Sequence, residues 1–170
     1  MTSEPVERRL AAVLSADVVG YSRLMNEDDE ATVRTLQIHH GRIARLIDTF
    51  RGRVVDAPGD NLLAEFPSAL GAVRCAVEIQ RALAAENEKL AKARRMSFRI
   101  GIHMGDVMVE GSRIYGDGVN IAARLEGLAA PGGICVSDLV YQQVRRRLEP
   151  TAGLDSLTRW GVDGTGTHRT

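Results

Sequence analysis

A chain of 170 residues, 44% hydrophobic and 26% charged, is sized for one domain with a hydrophobic core. Its 22 Lys+Arg balance 22 Asp+Glu, and a formal net charge of zero argues against sequence-independent nucleic-acid binding, which is driven by excess positive charge. No apolar run approaches the ~20 residues needed to span a bilayer. Cys75 and Cys135 each sit among apolar neighbours ("VRCAVEI", "GGICVS") and read as buried reduced thiols. With no disulfide framework and no signal peptide, the expectation is a cytoplasmic domain without membrane insertion.

Residues 8–16, "RRLAAVLSA", are short and apolar and read as a buried strand ending at Asp17. "VVGYSRLMNEDDE" reads as a loop with a helix start inside it. From about Asp29 to Phe50, Val33, Leu36, Ile43, Ile47 and Phe50 recur at helical spacing, and "RG" at 51 and 52 ends the helix. "RVVDA" and "NLLAEF" flank "PGD" as a β-hairpin. Pro67 and Ser68 open a second helix to about Leu90, with Leu70, Val73, Val77 and Leu83 on its inner face.

Residues 96–110 alternate Phe98, Ile100 and Ile102 with Arg99, Gly101 and His103, the pattern of a strand, and Gly105 is expected to break or bulge it. "GSRIYGDG" reads as a loop, "VNIAARLEGLA" as a short helix, "ICVS" as a strand and "DLVYQQVRRRL" as a last helix. This order predicts an α+β or α/β domain over residues 1–148, with helices covering a sheet. The remainder, 149–170, has scattered apolar residues, no period and much Gly and Thr, so little order is expected there.

Two carboxylates carry the first chemical signal. Asp17 ends a buried strand beside a Gly-containing turn, and Asp60 lies in the hairpin tip. Each alone is an ordinary turn residue. Together, if the first strand lies beside the hairpin, they project from one sheet edge. Two hard oxygen ligands suit Mg²⁺ or Mn²⁺, which keep waters and bind substrate phosphates. Two such ions roughly 3.5–4 Å apart activate an attacking oxygen and stabilise a leaving one. Asn120 and Arg124, four apart, share a helical face. An arginine there can neutralise phosphoryl charge, with Asn120 orienting a sugar or phosphate.

"SADVVGYS", "GDNLLAEF", "IGIHMGDV", "IYGDGVNIAARLEGLA" and "PGGICVS" stand in one order over about residues 8–148. In these motifs the chain resembles the catalytic domain of class III nucleotidyl cyclases, the adenylate and guanylate cyclases. The resemblance implies a ferredoxin-like nucleotidyl cyclase fold, with a central mostly antiparallel sheet, working as a head-to-tail homodimer. It implies that Asp17 and Asp60 of one subunit bind two Mg²⁺ or Mn²⁺ ions, and that Asn120 and Arg124 reach the same site from the other subunit. The backbone of Val18, Val19, Gly20, Tyr21 and Ser22 would cradle the triphosphate. The implied reaction is attack of the ribose 3′-oxygen of ATP on the α-phosphorus, giving 3′,5′-cyclic AMP and pyrophosphate.

Three departures stand out. Where the family's adenylate cyclases carry a purine-reading lysine, this chain has Asp56. Where that lysine's partner is an aspartate or threonine, it has Arg113. Either Asp56 accepts from a base amino group while Arg113 donates to the ring, or the two close on each other as a salt bridge; GTP therefore stands beside ATP. Third, the family continues into two further strands bearing a triphosphate-contacting lysine. No lysine follows Lys92, no strand pair is legible in the tail, and its arginines, Arg159 and Arg169, match no pattern. The expectation is that these strands are missing or altered, leaving a sheet edge exposed. The histidines (His39, His40, His103, His168) are not spaced as a metal site. The competing readings are a catalytically weak or inactive cyclase-like regulatory module and a generic ferredoxin-like binding domain.

Overall fold

The computed structural model describes residues 5–148, 157–160 and 167–169. One eight-stranded sheet organises it. The strands are β1 (Glu7–Val18), β2 (Arg53–Asp56), β3 (Leu62–Phe66), β4 (Phe98–Glu110), β5 (Arg113–Tyr115), β6 (Ile134–Ser137), β7 (Leu157–Trp160) and β8 (Thr167–Arg169). Their spatial order is β2-β3-β1-β4-β6-β7-β8, with β5 paired to β4. β1 is antiparallel to both β3 and β4, while β4–β6 and β6–β7 are parallel. The sheet is thus mostly antiparallel, as the resemblance led us to expect.

β1 is apolar throughout its centre because both of its faces are covered. Ala12, Leu14, Ala16 and Val18 point into the larger core, while Ala11 and Val13 point into a smaller one. Helices α1 (Tyr21–Glu27), α2 (Asp29–Thr49), α3 (Ala69–Glu88) and α5 (Asp138–Val144) contribute to the larger core, where Ile43, Ile47 and Ile79 meet Phe66, Phe98, Ile100 and Ile102. Among the described residues, α4 (Asp117–Leu128) is the one helix on the opposite face, its Ala122 against Val13 and Val107. Side-chain caps set three of the helix starts: Asp28 accepts from the Ala31 N–H, Ser68 from Gly71 and Ser137 from Val140. Cys75 and Cys135 are buried free thiols, and burial pushes them up to about 12 and about 11.

Three local expectations are corrected. β4 does not break at Gly105, which pairs with Ala11 in unbroken register. A Cβ on Gly105 would press first on the His103 ring, at 3.2 Å, while the Gly118 Cα of α4 lies at ordinary contact distance, 3.7 Å. The segment read as the loop "GSRIYGDG" contains β5, which folds back on β4 with Met108 opposite Tyr115. The tail does supply a strand pair: β7 adds in parallel to β6, and β8 returns antiparallel on β7. The β6 edge is therefore covered. The rest of the tail, on which the expectation of little order fell, lies outside the described residues.

Candidate functional site

The end of β1 is stitched to the hairpin loop that precedes β3. The Val18 N–H donates to Asp60 Oδ2 at 3.1 Å, and a His40 ring nitrogen lies 3.3 Å from the Asp60 carbonyl oxygen. Asp17 and Asp60 are thereby brought to one end of the sheet. Arg99, opposite Asp17 in the β1–β4 ladder, forks across the Asp17 carboxylate, with Nε to Oδ1 at 3.1 Å and Nη2 to Oδ2 at 2.9 Å. Its Nη1 donates to the Gly127 carbonyl at 3.3 Å.

A third carboxylate closes the niche. Glu126, on the inner face of α4, is 6% exposed. The Asn61 amide donates to its Oε1 at 3.2 Å and lies 3.4 Å from Ser15 Oγ. Its Oε2 stands 3.9 Å from Arg99 Nη2. Burial first, then the charges of Asp17 and Asp60, push the Glu126 carboxyl up to about 7 against the opposing pull of Arg99. The Asp17 carboxylate, ahead of any other influence, holds the Arg99 guanidinium above its ordinary value. Sequence reasoning missed Arg99, Glu126 and Asn61. All three stood inside or beside quoted motifs, but only the stacking of α4 on β4 brings them to Asp17.

Among the described residues, no three His, Cys, Asp or Glu side chains converge as a ready-made metal cage. Two adjacent carboxylates are nevertheless a fitting donor set for Mg²⁺ or Mn²⁺, which bind through one or two carboxylates and complete their shell with water and phosphate. Asp17 and Asp60 are the residues that would hold such ions.

The expected phosphate cradle narrows. The Val18 amide is engaged by Asp60, and the Val19 amide donates to the Ser97 carbonyl at 2.8 Å, so neither is free for a ligand. Gly20, at φ 67°, turns the chain into α1. The amides of Tyr21 and Ser22, in the first turn of α1, have no intrahelical acceptor. Gly20, Tyr21 and Ser22 thus form the usable part of the cradle.

Asn120 and Arg124 are exposed on α4, and among the described residues neither side chain makes a hydrogen bond or ion pair within the chain. At about 100° per residue, Glu126 lies roughly 200° round the helix from Arg124. Glu126 faces Asp17, so Arg124 faces away from it. One chain therefore does not bring the four expected site residues together. Two clefts among the described residues lie apart from these four side chains. One of about 400 Å³ is lined by Met25, Val33 and Arg34, and another of about 380 Å³ by Arg8, His103, Asp106 and Gly118. Neither includes Asp17, Asp60, Asn120 or Arg124.

Asp56 ends β2 and is exposed; its Oδ1 accepts from its own neighbour's N–H, that of Ala57, at 2.9 Å. Arg113 opens β5 and is also exposed. The Tyr115 side chain first, then the Asp56 charge, hold its guanidinium above the ordinary value. The two charges are neighbours, yet among the described residues they make no ion pair with each other, so the closed salt bridge is not the arrangement seen. Arg159 is paired with Asp138 and stacks 4.8 Å over the Tyr141 ring, which anchors it to α5. The Arg169 side chain lies outside the described residues.

A sequence model described as the adenylate and guanylate cyclase catalytic domain matches residues 5–170. A protein of Rhizobium meliloti (strain 1021) named "Putative adenylate cyclase 3" is 45% identical over 150 residues, covering 88% of this chain and 26% of its own length. The chain thus spans about a quarter of that relative. Among solved structures, an adenylate/guanylate cyclase/hydrolase from Silicibacter pomeroyi superposes with a TM-score of 0.80 at 42% identity, covering 85% of each chain. The guanylyl cyclase Cya2 superposes with a TM-score of 0.73 at 27% identity, covering 84% of this chain and 82% of its own. Among the described residues, no helix is long and apolar enough to cross a membrane.

Proposed function

We propose, for a chain that belongs to the adenylate and guanylate cyclase catalytic-domain family, that it converts ATP to 3′,5′-cyclic AMP and pyrophosphate at sites shared between two copies. The observation that carries this reading is the division of α4. Its inner face meets Asp17, while Asn120 and Arg124 point outward with no partner among the described residues. A head-to-tail homodimer presents the outer face of one α4 to the Asp17 and Asp60 end of the other chain.

In such a dimer, Asn120 orients the ribose so that its 3′-oxygen stands in line with the α-phosphorus. The 3′-hydroxyl gives its proton to solvent water, a bond forms between that oxygen and phosphorus, the bond to the β-phosphate bridge breaks, and pyrophosphate leaves with its charge. Arg124 balances the charge that gathers on the phosphoryl oxygens. The amides of Gly20, Tyr21 and Ser22 hold the triphosphate. Two divalent cations on Asp17 and Asp60, Mg²⁺ or Mn²⁺, would supply charge neutralisation at the attacking and leaving oxygens.

A second reading, GTP as substrate, is favoured by Asp56. Its carboxylate is a pure acceptor, which suits the N1–H and amino group of guanine better than the bare N1 of adenine. Incubation with Mn²⁺ and either nucleotide, followed by detection of cyclic product, scores both readings. Asp17→Ala and Arg124→Ala should each abolish activity, and mixing them should restore roughly a quarter of it, because half of the dimers are then mixed and each has one intact site. Absence of product with either nucleotide sinks the enzyme reading. Inactive single variants that stay inactive on mixing sink the shared site.

A further inference from the structure

Arg99 occupies the place where a cation is expected. Its guanidinium spans both oxygens of Asp17, at 3.1 and 2.9 Å, so it lies across the carboxylate that a divalent ion would use. We propose that Arg99 is the positioning residue of this carboxylate: it holds Asp17 in the cation-free chain and turns to Glu126 when Asp17 binds a divalent ion. The inference rests on the reading of Asp17 and Asp60 as cation ligands.

Four observations support it. First, two acidic side chains meet at one guanidinium: Arg99 Nη2 stands 2.9 Å from Asp17 Oδ2 and 3.9 Å from Glu126 Oε2, so the arginine lies between them. Second, a second acceptor stands within reach. Glu126 Oε2 is 3.9 Å from Arg99 Nη2, and among the described residues it accepts no hydrogen bond, whereas Oε1 is engaged by Asn61. A turn of the guanidinium closes that gap without moving the backbone.

Third, the arginine has a pivot. Nη1 is held by the Gly127 carbonyl on the same helix as Glu126, so the head group stays tethered while Nε and Nη2 change partners. Fourth, the receiving post is fixed. α4 rests on β4 at Gly101, where even a Cβ would stand 2.2 Å from the Glu126 nitrogen and 2.3 Å from the Ala122 oxygen. Backbone touches backbone there, so Glu126 cannot follow Asp17, and the adjustment falls to the arginine. This accounts for a carboxylate at a buried position of α4, where an apolar residue would otherwise be favoured. It also accounts for arginine rather than lysine at position 99: only a planar fork spans one carboxylate and then pairs with another from the same anchor.

The test is Mn²⁺ binding to the nucleotide-free protein, read from the loss of the free-ion EPR signal. Arg99→Met keeps the stem and removes the competing charge, so Mn²⁺ should bind about tenfold more tightly, the scale of one charge-assisted pair. Arg99→Lys, which retains charge without the fork, should fall between Met and wild type. Glu126→Gln should weaken binding several-fold when Arg99 is present and have little effect in the Arg99→Met background. A merely structural arginine gives the opposite: its loss loosens the site and lowers affinity along with the melting temperature. Unchanged or weaker binding by folded Arg99→Met and Arg99→Lys overturns the proposal. Asp17→Asn separates the two levels of the argument. If it leaves Mn²⁺ binding intact, the cation-site reading fails; if it abolishes binding while the Arg99 variants do not tighten it, only the present inference fails.

Discussion

Gly101→Ala is the smallest change that should disturb the whole site. The added Cβ would lie 2.2 Å from the Glu126 nitrogen and 2.3 Å from the Ala122 oxygen, both backbone atoms of α4. No rotamer change relieves such a contact, so α4 must retreat by about 1 Å to regain an ordinary separation of about 3.4 Å. Overpacking of this kind costs about 1–3 kcal/mol, and the upper end applies where backbone must yield. At roughly 2–4 °C per kcal/mol for a domain of this size, the melting temperature should fall by about 6–12 °C. The same helix carries Asn120, Arg124 and Glu126, and a misplacement of about 1 Å can reduce turnover about a hundredfold. Thermal unfolding followed by circular dichroism reads the first effect, and cyclic-nucleotide formation in Mn²⁺ reads the second. Gly41→Ala is the control. It lies inside α2 with nothing within 4 Å of the added Cβ, and should stabilise by about 0.5–1 kcal/mol through helix propensity. A Gly101→Ala protein that melts within about 2 °C of wild type would refute the packing argument.

His39 is buried, with neither ring nitrogen hydrogen-bonded among the described residues. Burial above all, with Arg42 and His40 adding to it and Glu86 opposing, lowers its pKa below 6.5. A lowered histidine pKa means that stability is complete above about 6.5 and is lost as pH falls through the folded value, so wild type should lose stability on acidification relative to His39→Leu. The difference between the two melting curves is the readout, because Glu126, raised to about 7, acts in the opposite sense and gains stability as pH falls. Asp56→Ala should lower kcat/KM about tenfold or more for whichever nucleotide is preferred, leaving Mn²⁺ binding unchanged. An unaltered ATP-to-GTP ratio would remove Asp56 from base recognition.

The parts of the fold that are periodic over a long stretch were legible in the sequence. Helix α2 begins at Asp29 as read, and α3 begins one residue after its Ser68 cap, because apolar spacing and capping chemistry are local signals. β7 was not legible: four residues, "LTRW", carry no period of their own and become a strand by lying along the β6 edge. Gly105 was misread for a related reason. The ladder with β1 carries it through without a break, and that pairing is not visible in the strand's own sequence. The site divides in the same way. Asp17, Asp60, Asn120 and Arg124 were found by motif, whereas the link from Arg99 to Glu126 joins residues 27 positions apart and exists only once helix and strand are stacked.

The two outer strands of the sheet are both short. β2 has four residues and a register shift between Val54 and Asp56, and β8 has three residues. A short or bulged border gives a foreign chain few consecutive backbone groups on which to extend a ladder. Ribbon-like stacking of copies, border to border, is therefore disfavoured by construction even at high protein concentration. Any lasting association between copies is left to side chains on the faces of the molecule, where shape and charge can discriminate, and not to backbone, which accepts almost any strand.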